Sequence, residues 1–307
     1  MILILSENKD SSTTQVIEWL NFFNKKWVRI NGEEKIQIEC IGEDFLFITD
    51  DFRFKLSEIS SFWYRRGFFN IKLNLTEINE FNEQIKREAS VLIQYIHYKL
   101  FQIKHIDSIK NVSVNKLIIN SQAEELGFLT PKSYIFSNKT ELKKVIDNND
   151  EQFITKTIAD GSFLNFKDHL VYNYTSKINL DNIVSEKFAP SLAQVYTKKK
   201  YELRIFYLLG RCYAMAIFSQ KDDQTTIDFR NYNDDQPNRN IPYNLPIAIG
   251  TKVCQLMKKL NFDSGSIDMI VTPDNQFIFL ELNPFGQFGM TSYPCNYNVE
   301  KIIAENL

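Results

Sequence analysis

The sequence predicts an α/β (α+β) protein in three consecutive parts. These are an N-terminal open-sheet domain over residues 1–112, a small central α/β segment over 113–189 and a C-terminal antiparallel-sheet segment over 190–307. Three observations lead there. An apolar run at 2–5 is followed by Val16, Ile17, Leu20 and Phe23 at helical spacing, which is how an open α/β sheet begins. Phe81, Ile85, Ala89, Leu92, Ile96, Leu100 and Ile103 recur every three or four residues and mark one long helix closing the first domain. From Val184 onward the pattern turns mostly to strands.

Taken in order, strand-like runs at 36–41, 44–48, 51–54 and 61–65 follow the first helix, and the long helix runs from Ile78. A polar link at 107–114 separates the first domain from a helix capped by Ser113, with Gly127 as its stop and Pro131 beyond. A strand at 133–136, a helix capped by Ser137 or Asn138 and the strand Phe153–Ile158 come next. Strands are then expected at 184–188, 194–198, 201–209 and 212–219, the last two joined through Gly210-Arg211. Residues 221–244, dense in Asp, Asn, Pro and Gln, form the longest loop, a helix covers 246–260, a hairpin covers 265–283 and a terminal helix covers 298–305.

Composition excludes several classes of function. With 307 residues, 44% hydrophobic and 14% aromatic, the chain can bury one or two cores. Its 36 basic and 38 acidic side chains nearly cancel, and no long basic run is present to follow a nucleic-acid backbone. Lys198-Lys199-Lys200 reads as a solvated turn. Cys40, Cys212, Cys254 and Cys295 are far apart in sequence, with no CxxC pair, so reduced thiols in a cytoplasmic protein are expected. The apolar start is too short for a signal segment, and no run approaches the roughly 20 apolar residues of a membrane helix.

The chemistry is concentrated in the last hairpin. Pro273-Asp274-Asn275 is a turn signal between Ser264–Thr272 and Gln276–Asn283. A two-residue loop at Asp274-Asn275 sets Asp268 opposite Glu281, with Asn283 on the same face; a Pro273-Asp274 loop makes the two carboxylates diagonal neighbours. Facing carboxylates relieve their repulsion by binding a cation or a proton, and an Asp, Glu and Asn set suits magnesium. The competing reading is an edge hairpin with a wet polar face.

Two further strands carry charge where apolar residues are expected. Lys156 shares a strand face with Ile154 and Ile158, as a phosphate ligand or a lysine snorkelling at a sheet margin. Glu202 and Arg204 share a face in Tyr201–Phe206, as ligand-binding groups or a cross-strand ion pair.

In order and separation these pieces resemble the ATP-grasp superfamily. The likeness runs through Asn115-Lys116, "AEELGFLTP" (123–131), Lys156, "SEKF" (185–188), "ELR" (202–204), "DFRNYN" (228–233), Asp268 and "ELNP" (281–284), about two thirds of the chain. It implies that Lys116 and Lys156 hold ATP phosphates, that Glu186, Lys187 and Phe188 line the adenine pocket through their backbone, and that Glu202 faces the ribose. Arg204 and Arg230 would neutralise the transferred phosphate, while Asp268, Glu281 and Asn283 bind Mg2+. A phosphate-covering loop would lie at 159–162, where a plain turn is an equal alternative.

"FWYRRG" (62–67), followed by the long helix, resembles the branch of that superfamily that matures ribosomal peptides, the microviridin-type or graspetide ligases and especially the maturases of grasp-with-spasm systems. That resemblance implies an ATP-dependent joining of Asp or Glu side chains in a precursor peptide to Ser or Thr hydroxyls or Lys amines. It also implies a leader-plus-core peptide as partner and is compatible with a homodimer. Arg65 and Arg66 would hold an acidic substrate, or else end a strand in solvent. Two alternatives remain: a ligase that adds amino acids to a protein terminus or small acid, and a non-catalytic nucleotide-binding module.

Overall fold

The β-branched and leucine side chains of Ile2–Ser6 form β1, buried along its whole length. In the computed structural model, which describes residues 1–109, 114–159, 163–172, 174–220 and 237–307, this strand is the centre of the first of two units. That unit comprises Met1–Val112, Phe262–Ser264 and Gln287–Leu307; the second comprises Ser113–Asn261 and Gly265–Gly286. Residues 287–307, grouped with 190–286 on sequence, thus cluster with the N-terminal segment.

In the first unit, α1 (Ser11–Phe22) is capped by Asp10, whose side chain accepts from the Thr13 amide, and β2 (Trp27–Asn31) follows. Then come β3 (Lys35–Ile41), β4 (Asp44–Ile48), β5 (Arg53–Lys55), β6 (Ser61–Tyr64), β7 (Asn70–Ile71), α2 (Asn79–Leu100) and β8 (Lys104–Ile106). A parallel sheet in the order β2-β1-β6-β8 holds the core, and a second sheet has the order β5-β4-β3-β7. The strands β2 and β8 escaped the sequence reading because both are short and lie beside stronger helical patterns.

The long helix buries less than its periodicity implies. Ile96, His97 and Leu100 are buried, yet Phe81 is 60% exposed, so only its last turns seal the sheet. His97 lies among the rings of Phe62, Tyr64, Phe69 and Phe101, and neither ring nitrogen has a hydrogen-bond partner. Burial there pushes its pKa down to about 4. After β8 the chain turns through Asp107 at φ 60°, whose carboxylate accepts from the Ser264 amide at 2.9 Å and its hydroxyl at 2.6 Å. Burial raises that carboxyl to about 7.

The second unit opens with α3 (Lys116–Glu125), capped by Asn115 through the Leu117 and Ile118 amides and stopped at Gly127, φ 75°. Next are β9 (Ser133–Asn138), α4 (Lys139–Asp147) capped by Asn138, β10 (Phe153–Thr155), β11 (Phe163–Asn165), β12 (Leu170–Tyr172), β13 (Ser176–Lys177) and β14 (Lys187–Val195). They form a sheet of order β13-β10-β14-β9, packed under α4 around Leu142, Phe153 and Ala193, and a β11-β12 hairpin. The expected strands at 184–188 and 194–198 are one strand, whose ladder with β9 breaks between Lys187 and Ser191.

The remaining strands are β15 (Tyr201–Leu208), β16 (Arg211–Phe218) and β17 (Arg239–Pro242); α5 (Ile247–Lys259), β18 (Ser264–Val271) and β19 (Phe277–Asn283) follow. Their sheet has the order β17-β16-β15-β18-β19. Leu208 pairs with Arg211, so the turn is Leu209-Gly210, one residue before the expected one. Both have positive φ, 45° and 89°, as a tight hairpin of matching twist requires. The short helices α6 (Gly289–Cys295) and α7 (Val299–Asn306) return to the first unit, where Lys25 Nζ donates to the Ala304 carbonyl at 2.8 Å. No described helix is long and apolar enough to cross a membrane.

Candidate active site

Asp268 and Glu281 pair directly across β18 and β19, and Ser266 pairs with Asn283. The register has an unexpected origin. Near the turn, Thr272 N donates to Gln276 O, so Pro273, Asp274 and Asn275 make a three-residue loop, with Asn275 at φ 63° in its left-handed position. That loop alone pairs Met269 with Phe279, and a bulge between Asp268 and Met269 then shifts the ladder by one residue and brings the carboxylates face to face. Turn chemistry reads from sequence; a compensating bulge does not.

Asn283 Nδ2 lies 3.4 Å from Asp268 Oδ2 and 3.3 Å from Glu281 Oε1, so the three side chains converge. The turn after β19 supports this position. A Cβ on Gly286 would fall 2.0 Å from Ser266 Oγ, so the chain can fold back under Asn283 only with glycine there. Rotating the Asn283 amide end for end offers its oxygen to the same point.

Cationic side chains ring the carboxylates. Arg204 Nη1, from β15, donates to both Asp268 oxygens at 2.9 and 3.0 Å. Lys116 Nζ, from the first turn of α3, lies 3.5 Å from Glu281 Oε2, and Lys156 Nζ, one residue past β10, lies 3.9 Å from the same oxygen. All five are largely buried, with side-chain exposures of 9 to 16%. The buried Arg204 Nε has no hydrogen-bond partner. Arg204 therefore makes the cross-strand ion pair considered as an alternative, and it does so on the candidate metal ligand.

Among the described residues no group of three or more His, Cys, Asp or Glu is placed to hold a metal. A cation here would rest on two carboxylates, one amide oxygen and oxygens of a bound ligand. That set fits Mg2+, which keeps waters and takes one or two carboxylates plus phosphates, and it does not fit zinc.

Glu202 is engaged inside the protein. Its carboxylate accepts from the buried Lys199 and, at 3.1 Å, from Ser219 Oγ. Burial raises its pKa against the pull of Lys199. Lys199 is 5% exposed whereas Lys198 and Lys200 are exposed, so the lysine run is solvated except at its middle residue. The missed signal was spacing: Lys199 and Glu202, three apart, bracket the entry into a strand.

Residues 186–188 sit elsewhere. The Glu186 carboxylate accepts from the Thr140 amide at 3.1 Å and its hydroxyl at 2.6 Å, which lowers its pKa, and the Glu186 carbonyl accepts from Lys139 N. Lys187 pairs with Asn138, and Phe188 lines a cavity of about 390 Å3 with Phe136 and Leu142. The small cavity beside Lys156, about 60 Å3, is lined instead by Gln194, Val195, Tyr196, Thr197 and Lys199 at the far end of β14. The sequence reading split this strand in two and so set the expected adenine contact at its start, away from this cavity.

Arg65 is 2% exposed, with Nε 3.1 Å from Asp10 Oδ2 and its guanidinium 5.5 Å from the Phe288 ring centroid. It is neither a solvated strand end nor a surface-accessible clamp. Arg66 is one-third exposed, 3.7 Å from Asp10 and 4.0 Å from Glu7. Arg230, the rest of "DFRNYN" and positions 160–162 of the expected phosphate loop lie outside the described residues.

The fold is similar to those of solved macrocyclases and ATP-grasp ligases. The macrocyclase MdnC of Microcystis aeruginosa MRC, bound with precursor peptide MdnA, is 28% identical, with a TM-score of 0.78 over 99% of this chain and 98% of that one. A RiPP-associated ATP-grasp ligase of Chryseobacterium gregarium, complexed with ADP and a leader and core peptide, is 22% identical with a TM-score of 0.78 over 99% and 94%. The ATP-grasp ligase PsnB, complexed with minimal precursor, Mg and ADP, is 12% identical with a TM-score of 0.70 over 99% and 96%. No family model and no curated protein matches the chain.

Proposed function

We propose, from the ATP-grasp ligase fold of this chain, that it is an ATP-dependent macrocyclase of a ribosomal precursor peptide. The observation that carries this reading is the convergence of Asp268, Glu281 and Asn283 with Lys116, Lys156 and Arg204, in a chain that spans 98% of a macrocyclase of like fold.

In this reading an Asp or Glu carboxylate of the peptide attacks the γ-phosphorus of ATP, ADP leaves, and an acyl phosphate forms on the peptide. A Ser or Thr hydroxyl then gives an ω-ester, or a Lys amine an ω-amide, with phosphate as leaving group and one water lost per ring. Asp268, Glu281 and Asn283 would hold Mg2+, which supplies positive charge to the phosphates when bound. Lys116 and Lys156 draw the phosphate oxygens to the head of the hairpin. Arg204 fixes the Asp268 carboxylate by donating to both oxygens, and its Nε offers a further donor. Arg230 keeps its assignment to the transferred phosphate from the motif alone.

The adenine base is reassigned to the backbone of Val195–Thr197, beside Lys156, rather than to residues 186–188. Glu202, steadied by Lys199, presents its edge to the ribose. The partner is a leader-plus-core peptide, with Arg66 as the accessible member of the arginine pair that can meet an acidic residue. Four free thiols agree with a cytoplasmic setting.

The test is mass spectrometry of a short Thr- and acid-rich peptide encoded beside this gene, incubated with the protein, ATP and Mg2+. Loss of one water per ring is the expected result. Gain of amino-acid residues would instead make the chain an amino-acid ligase, and ADP release that persists in Asp268→Asn and Glu281→Gln would remove the metal assignment.

A further inference from the structure

Two of the four cysteines are neighbours in the folded second unit. Cys212 is the second residue of β16 and pairs with Tyr207 of β15. Cys254 lies in the middle of α5, and its Sγ reaches the carbonyl of Gly210, in the turn that leads into β16, at 3.5 Å. Cys254 Sγ thus lies beside the turn that Cys212 follows by two residues, and each thiol is half-buried, whereas Cys40 is exposed and Cys295 buried. Nothing in the ligase reaction uses either sulfur.

We infer that Cys212 and Cys254 form a redox-closed pair, in which an oxidant of the peroxide class joins the two sulfurs and fastens α5 to the β15–β16 hairpin that carries Glu202 and Arg204. The Cys254 thiolate attacks the peroxide, the O–O bond breaks, and a sulfenic acid and one water result. Cys212 Sγ attacks that sulfenic sulfur and loses its proton, and the S–O bond breaks to release the second water. Two thiols are oxidised to one disulfide while one peroxide is reduced to two waters.

The environment gives the two sulfurs different roles. Burial, and then the charge and hydrogen bond of Cys254, push the Cys212 thiol up to about 12, so it is a poor first nucleophile. Once Cys254 is a sulfenic acid its sulfur is an electrophile, and Cys212 is the neighbouring thiol that can attack it. The bond closes a ring in the chain that contains residues 221–236, and so removes conformational freedom from the unfolded chain.

The experiment treats the full chain with hydrogen peroxide, alkylates the remaining thiols and analyses unreduced peptides. Expected are a mass loss of about 2 Da, one peptide linking Cys212 to Cys254, reversal by dithiothreitol, and a rise in unfolding temperature on the order of 5 °C. Cys212→Ser and Cys254→Ser should each abolish the link and the rise, while Cys40→Ser leaves both. Disulfides only between separate chains, or peroxide converting Cys254 to sulfinic acid with Cys212 still alkylated, would overturn the pair. A link without the thermal shift would overturn its fastening role.

Discussion

Two charged clusters announced themselves in this sequence, and the fold uses them differently. In the first unit Arg65 meets Asp10 at 3.1 Å at the carboxyl ends of the parallel strands, 2% exposed, with Arg66 and Glu7 at the margin. In the second, Arg204, Lys116 and Lys156 meet Asp268 and Glu281, three cations against two carboxylates at side-chain exposures of 9 to 16%, and Lys156 borders a cavity. Balanced charge sealed from solvent holds a fold together. Excess positive charge at the rim of a cavity is matched to a polyanion.

The largest expected effect breaks that contrast most directly. Glu281→Gln leaves the ladder intact and should lower ring formation by roughly 100-fold or more, as removing a transition-state electrostatic group does, with chelation of divalent ions having the same effect on the unaltered chain. Peptide mass and ADP release, each read against Mg2+ concentration, measure it. Near-normal turnover would place the second cluster beside the first as mere structure.

Asp10→Asn strands a buried guanidinium and should cost about 3–5 kcal/mol of stability, seen as a lower denaturant midpoint. If that variant unfolds normally but fails on acidic peptides, the first cluster is a substrate site. Lys156→Met should raise the KM for ATP about tenfold with a smaller change in kcat, since it removes one phosphate contact.

The last effect concerns pH. His97 titrates near 4 when folded and near 6.5 when unfolded, so the unfolded chain binds more protons between those values and stability falls as pH drops through that window. The loss totals roughly 3 kcal/mol. Asp107 works in the opposite sense, its folded pKa near 7 favouring the folded state at low pH. Comparing His97→Phe with the unaltered chain isolates the histidine: the variant should gain stability relative to the unaltered chain as pH falls from 6.5 to 4, and an unchanged difference across that range would mean that the ring is not buried neutral.

Much of the site was legible because it lies in local patterns. Period-two alternation and the turn set Asp268, Glu281 and Asn283 on one face of a hairpin, and motif order pointed to the ATP-grasp fold that solved structures of like fold share. The bulge that sets the hairpin register was hidden, because one extra residue in a ladder alters no periodicity. Lys199 was hidden as well, since a lysine run reads as solvated unless its partner Glu202 is seen folding over it.

By itself the sequence determined most of the longer strands and helices, which residues carry charge on a strand face, and the class of chemistry those residues support. Periodicity, caps and turn residues are local, and each follows from a few neighbouring side chains. Only the tertiary structure decided that Arg65 is sealed against Asp10, that Arg204 grips Asp268, that the far end of β14 rather than its start borders Lys156, and that Cys254 packs beside the turn leading to Cys212. Those outcomes depend on which faces meet across the sheet and on which charges lose their water there, and no spacing along the chain carries that information.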